Sequence, residues 1–186
     1  MPFTRWRIEG TLTTEAPLHV GDGSTTTRAA LKNEKARKLA EINSVAAVPG
    51  GAAYLPGSTI KGCLRSWLDE RGFDRGLIDA VFGPRPAEDE AQPVGGKADF
   101  HDAFFAADGE AGTRHRWWDA TRKTCVTPGV AIDRVTGTAL DERLFYYEHV
   151  PKKVSFDVTI ALRDVEESAR EIALVGIAPL HTVECR

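Results

Sequence analysis

The sequence is poor in cysteine, methionine and tyrosine and has no long apolar run. Its three cysteines, Cys63, Cys125 and Cys185, are far apart and odd in number. They make neither a disulfide framework nor a zinc-ligand pattern, so reduced thiols and a cytoplasmic setting are expected. No uninterrupted apolar stretch reaches membrane-spanning length, and no charged-then-apolar leader opens the chain; no membrane partner is expected. An excess of basic charge is also missing. Lys and Arg number 24 against 27 Asp and Glu, for a net charge of −3. That excludes a globally basic nucleic-acid binder but leaves room for a local basic track. No internal repeat is visible. What is present, 42% apolar and 27% charged residues over 186 positions, is ordinary for a globular protein and long enough for one domain with a core.

The chain is organised around YLPGSTIKGCLRSWLDE at residues 54–70. Pro56 fixes its own φ and Gly57 can adopt backbone conformations closed to other residues, so a tight turn is expected there. Ser58 reads as the N-cap of a helix. Ile60, Cys63, Leu64, Trp67 and Leu68 then repeat at helical spacing as one apolar stripe. Lys61 and Arg65 stand four apart on a common face. Lys61 falls in the first turn, where the helix dipole disfavours a cation. A Gly-Ser turn, free N–H groups and a Lys in that place together suit an anion such as phosphate. The alternative is an amphipathic helix with solvated charges. The spacing is not that of a Walker loop.

Around this stretch, Trp6, Ile8, Gly10 and Leu12 alternate with polar residues as a half-buried strand. Residues 21–24, Gly-Asp-Gly-Ser, read as a turn. Residues 25–53 read as a polar, basic loop insertion, with a short strand possible at 42–47. Leu77, Ile78, Val81 and Phe82 suggest a second short helix, and residues 85–97 an exposed acidic loop. Residues 98–105 read as a strand or bent ribbon. Asp99, His101 and Asp102 lie there together but with no third clear ligand geometry, so no metal is expected. Trp117 and Trp118 follow basic residues and suit either base stacking or a core edge. Residues 131–153 read as a protruding hairpin, 154–162 as the clearest strand, and 166–177 as a final amphipathic helix.

PLHVGDGS at 17–24, YLPGSTIKGCLR at 54–65, Phe82-Gly83, and AIDRVTGTALDERLFYYEHVPKKVSF at 131–156 together resemble the RAMP superfamily of CRISPR proteins. The last of these resembles the backbone subunits of type III effector complexes. The resemblance implies an α+β, ferredoxin-like fold akin to RNA-recognition modules, with a thumb-like β-hairpin, in a single domain over 1–186. It implies guide RNA, target RNA and other RAMP subunits as partners in antiviral defence. It also implies RNA contacts from Gly57, Ser58, Thr59, Lys61, Arg65 and Arg134.

Two departures from the family pattern shape the functional expectation. Active members carry an Asp on the loop before the glycine-serine helix and cut target RNA with a divalent metal; the matching residue is Asn43, within Glu41-Ile42-Asn43-Ser44. An amide is no general base and a poor ligand for a hard cation. No catalytic residue is therefore expected, and no cofactor. Glu41 or Asp22 would have to substitute in a metal-dependent endoribonuclease using Mg or Mn, which is one alternative function. A protein-interaction subunit without RNA contact is another. The second departure is at the C-terminus, where no Gly-rich loop follows Ile177, so a shortened C-terminal part is expected.

Overall fold

The computed structural model of the chain describes residues 5–27, 41–85, 95–106 and 117–164, with only the backbone at 140–144. Eight strands and two helices are formed among these residues: β1 (Arg5–Thr13), β2 (Gly21–Thr27), β3 (Glu41–Val45), α1 (Gly57–Glu70), α2 (Arg75–Phe82), β4 (Ala98–Phe100), β5 (Phe104–Phe105), β6 (Cys125–Ile132), β7 (Ala139–His149) and β8 (Ser155–Arg163). They divide into two compact units. One comprises Met1–Leu12, Leu55–Ala106 and Phe156–Arg186; the other comprises Thr13–Tyr54 and Ala107–Ser155.

The first unit holds the sheet β1-β8-β4, with β5 also on β8, and both helices. β8 alternates as its sequence demands, with Phe156, Val158, Ile160 and Leu162 buried. The apolar stripe of α1 buries Ile60, Leu64 and Leu68, and α2 buries Ile78, Val81 and Phe82. Phe82 stacks on Phe100 of β4 at 5.5 Å, and Phe105 meets Phe156 at 4.7 Å between ring centroids. Gly72, at φ 71°, closes α1, with Phe73 N–H donating to the Leu68 carbonyl. Asp74 caps α2 by accepting from Leu77 N–H at 2.9 Å.

The second unit holds the sheet β2-β3-β7-β6, in which β3 and β7 run parallel and the other pairs antiparallel. Ile42 and Val126 form its apolar centre, with Trp117 and Tyr146 packed against them. Of the two uses open to Trp117, the core edge is the one it has. β6 and β7 form a hairpin whose turn is closed by Asp133: its carboxylate accepts from Val135 and Thr136 N–H, and Gly137 at φ 69° donates to its carbonyl.

Three local readings need correction. Residues 21–24 are not a turn between elements but the start of β2, where the register to β3 shifts between Gly21 and Thr25. The turn chemistry is real but serves a bulge: Gly23 has φ 80° and Ser24 N–H bonds Asp22 at 2.8 Å. Residues 25–53 are not one loop insertion, since 25–27 extend β2 and the short strand expected at 42–47 forms as β3 over 41–45. Ser58 is not the N-cap. The helix begins two residues earlier, at Gly57, with Pro56 in the cap position, and no side chain of the cap residue bonds the first turn. The expected acidic loop falls largely on residues 86–94 and the final helix on 166–177, outside the described residues.

Candidate nucleic-acid interface

At the start of α1 the free N–H groups expected to bind an anion are largely occupied. Asp102, on the segment after β4, accepts from Gly57 N–H at 2.8 Å, while Thr59 and Ile60 N–H bond the Pro56 carbonyl. A carboxylate already stands where a phosphate would. It is the favourable sign of charge for a helix N-terminus. Gly57 is buried for a second reason. A Cβ there would come within 2.0 Å of the Phe100 carbonyl oxygen, so only glycine lets α1 approach β4 this closely.

The two cations of α1 differ in use. Arg65 donates to Asp79 at 2.6 Å and to the Gly83 carbonyl at 2.5 Å, and its side chain is 16% exposed. It ties α1 to the end of α2 and is not available as a free cation. Lys61 is half-buried and has no ion-pair partner among the described residues. Ser58 is exposed and Thr59 half-buried beside it. Asp99 pairs with Arg163. Among the described residues no three His, Cys, Asp or Glu side chains converge as metal ligands.

In the second unit, Arg134 is exposed in the hairpin turn, near Val135 at 93% exposure. Asn43 is in neither loop nor turn. It lies on β3, exposed, in register with Thr25 on β2 and Tyr147 on β7. Neither cross-strand partner is a carboxylate. The next residue on that face of β3 is Glu41, one row away opposite Thr27. Asp22 is engaged at the bulge, where the Ser24 side chain and N–H hold its carboxyl below the usual carboxylate range. This donor set does not fit a hard divalent cation, which takes six or more oxygens and favours carboxylates.

The strand containing Asn43 is held by an ion pair invisible in the sequence. Glu148 is fully buried on β7 and receives both Nε and Nη2 of Arg122, at 2.7 and 2.8 Å. Thr124 Oγ1 and the Val45 N–H complete its shell at 2.5 and 3.1 Å, and Arg122 Nη2 also reaches the Val45 carbonyl. One carboxylate thus links β3, β7 and the turn before β6. Its hydrogen bonds hold the Arg122 guanidinium above its ordinary pKa, so the cation stays charged. Period-two alternation of Phe145, Tyr147 and His149 was the readable signal for one face of β7, which is exposed at Phe145 and buried at His149.

The RAMP superfamily model matches residues 11–180. The chain belongs to the RAMP superfamily. No curated protein matches its sequence. Among solved structures, this RAMP chain resembles one from the cryo-EM structure of the type III-B Cmr-beta in its apo state. The TM-score is 0.62 at 14% identity, covering 91% of this chain and 88% of the other. A chain from the type III-B Cmr-beta bound to cognate target RNA gives 0.59 at 14% identity, covering 90% and 87%. At that identity the likeness is one of fold. The RAMP chain has, among its described residues, no helix long and apolar enough to cross a membrane.

Proposed function

We propose that this chain is an RNA-binding backbone subunit of a type III-like CRISPR ribonucleoprotein. It holds guide RNA and the guide–target duplex beside other RAMP subunits, in the cytoplasm, without cofactor. The observation that carries this is Lys61, a cation without an ion-pair partner among the described residues, placed by α1 in a RAMP-superfamily chain. Ser58 and Thr59 line the same turn. Arg65 supports them by fixing α1 on α2.

The strand order supports a ferredoxin-like reading of the first unit. In a β-α-β-β-α-β chain the first three strands lie in the order first, third, second. Taking β1, β4 and β8 as those three gives the observed β1-β8-β4. The β6–β7 hairpin of the second unit is then the thumb, with Arg134 at its end, and 1–186 serves as one RAMP domain. The protein would read RNA backbone and shape while base pairing reads sequence.

The test is RNA binding by purified chain at several salt concentrations. Lys61→Ala should weaken binding of all sequences alike and flatten the dependence of log K on log salt by about one. Wild type that binds no RNA under any salt would overturn the reading in favour of a protein-interaction subunit.

A further inference from the structure

We propose that the exposed face of the β2-β3-β7-β6 sheet holds one unpaired RNA base, stacked on Tyr147 and Phe145, with its edge met by Asn43 and His19. The proposal rests on the RNA-binding reading above and adds a site to it.

The register defines the face. Thr25, Asn43, Tyr147 and Thr127 are successive cross-strand partners across β2, β3, β7 and β6. Directly opposed residues point the same way, so these four side chains form one row. The opposite face carries the Ile42, Val126 and Tyr146 core. Phe145 and Tyr147 are next neighbours on the outer face, their ring centroids 6.3 Å apart, and Phe145 is 44% exposed. His19 meets Tyr147 edge-on at 6.4 Å.

Two glycines leave room for the rings on this face. A Cβ at Gly129 would lie 2.4 Å from the Phe145 ring, and one at Gly21 would lie 2.9 Å from His19 Nε2. Each ring therefore reaches over a backbone position that has no side chain; the Phe145 plane is tilted 35° from that of Tyr147, and His19 stands at 86° to Tyr147. An exposed ring such as Phe145 on a sheet face can take a stacked base, with the tilted Tyr147 ring beside it.

The polar groups are suited to a base edge. His19 Nδ1 lies 2.6 Å from the Glu148 carbonyl oxygen. A carbonyl only accepts, so Nδ1 carries the hydrogen and Nε2 of the neutral ring is left as an acceptor. The Asn43 amide both donates and accepts. Asn43, Thr25, Tyr147 and Thr127 are uncharged, so the row suits a base ring and not a phosphate. In this site the amide of Asn43 has a use that a carboxylate would lack: it can donate to a base.

The experiment uses the full chain and short single-stranded RNA carrying 2-aminopurine at one position, with a matched oligonucleotide abasic there. Wild type should quench the probe and bind the intact RNA more tightly than the abasic one. Tyr147→Leu should bind intact RNA about tenfold more weakly, an ordinary loss for one stacked base. It should leave affinity for the abasic RNA and the salt slope unchanged, and Tyr147→Phe should restore stacking. Asn43→Ala, at an exposed position where folding is not at risk, should alter the preference among bases. Lys61→Ala serves as the contrast, lowering the salt slope without touching the quench. If wild type distinguishes intact from abasic RNA no better than Tyr147→Leu does, while Lys61→Ala still weakens binding, this site is wrong and the RNA-binding reading stands. If no RNA binds at all, both fall. Loss of binding to other protein subunits in Tyr147→Leu, with RNA affinity intact, would make the face a protein contact and also overturn the proposal.

Discussion

The carboxylate of Asp102 accepts the Gly57 amide at 2.8 Å from a position 45 residues further along the chain. It does for α1 what Ser58 was expected to do locally. Replacing Asp102 with Ala removes an acceptor at a helix N-terminus and should cost about 1 kcal/mol, the usual value of an N-cap. Ser58→Ala should change stability little. Denaturant midpoints at unchanged m-value distinguish the two; equal losses would mean that the local hydroxyl matters as much as the distant carboxylate.

Lys61 and Arg65 should separate in opposite senses. Arg65→Ala deprives Asp79 and the Gly83 carbonyl of their donor at a half-buried contact, and should lower stability by about 1–3 kcal/mol. Lys61→Ala should leave stability within about 0.5 kcal/mol and act on RNA affinity alone. Thermal unfolding and RNA titration on both variants check this, and a stability loss confined to Lys61→Ala would reverse the assignment.

The Arg122–Glu148 pair should be among the most sensitive contacts of its unit. Arg122→Leu leaves a fully buried carboxylate without its countercharge and should cost about 3–5 kcal/mol. Glu148→Gln keeps the shape and removes the charge that needs a partner, so its loss should be smaller. Urea unfolding of the two variants measures the difference.

The hairpin turn should respond to acid. Asp133 has its pKa lowered from the ordinary 3.8, chiefly by the Thr136 and then the Val135 N–H. A folded-state pKa below the unfolded one means that the carboxylate's contribution is fully present above about pH 3.8 and disappears as pH falls through the lower folded value. The Thr136 and Val135 amide resonances should move together in that acid range; amides that do not sense the titration would contradict the turn geometry. Deleting residues 134–142 with a short Gly linker should leave a folded chain that assembles poorly on RNA, as a thumb requires. A deletion that unfolds the chain would make the hairpin part of the core instead.

Catalysis turns on Asn43. Wild type should leave target RNA intact in magnesium or manganese, because no carboxylate stands in the Asn43 row and an amide cannot take the proton of an attacking hydroxyl. Asn43→Asp, assembled with guide RNA and labelled target, asks whether one carboxylate restores metal-dependent cutting at regular spacing. Cutting by wild type would refute the expectation and direct mutagenesis to Glu41 and Asp22.

The sequence by itself determined the elements whose signal is periodic. The 3.6-residue stripe of α1 and the alternation of β8 follow from apolar spacing alone, because burial of one face decides both. The motifs at 17–24 and 54–65 were enough to suggest the family. Only the tertiary structure decided which charges are free. Nothing local shows which of Lys61 and Arg65 is paired, since the acceptors Asp79 and Gly83 lie on α2 and just past its end. Nothing local marks Asp102 as the cap of α1, or Glu148 as a buried acid, because their partners are distant in sequence. The placement of Asn43 on a loop, taken from the family pattern, fails for the same reason, although a short strand at 42–47 was legible. A five-residue strand gives only a weak periodic signal that does not fix its neighbours, and β2 and β7 supply the hydrogen bonds of β3 from either side.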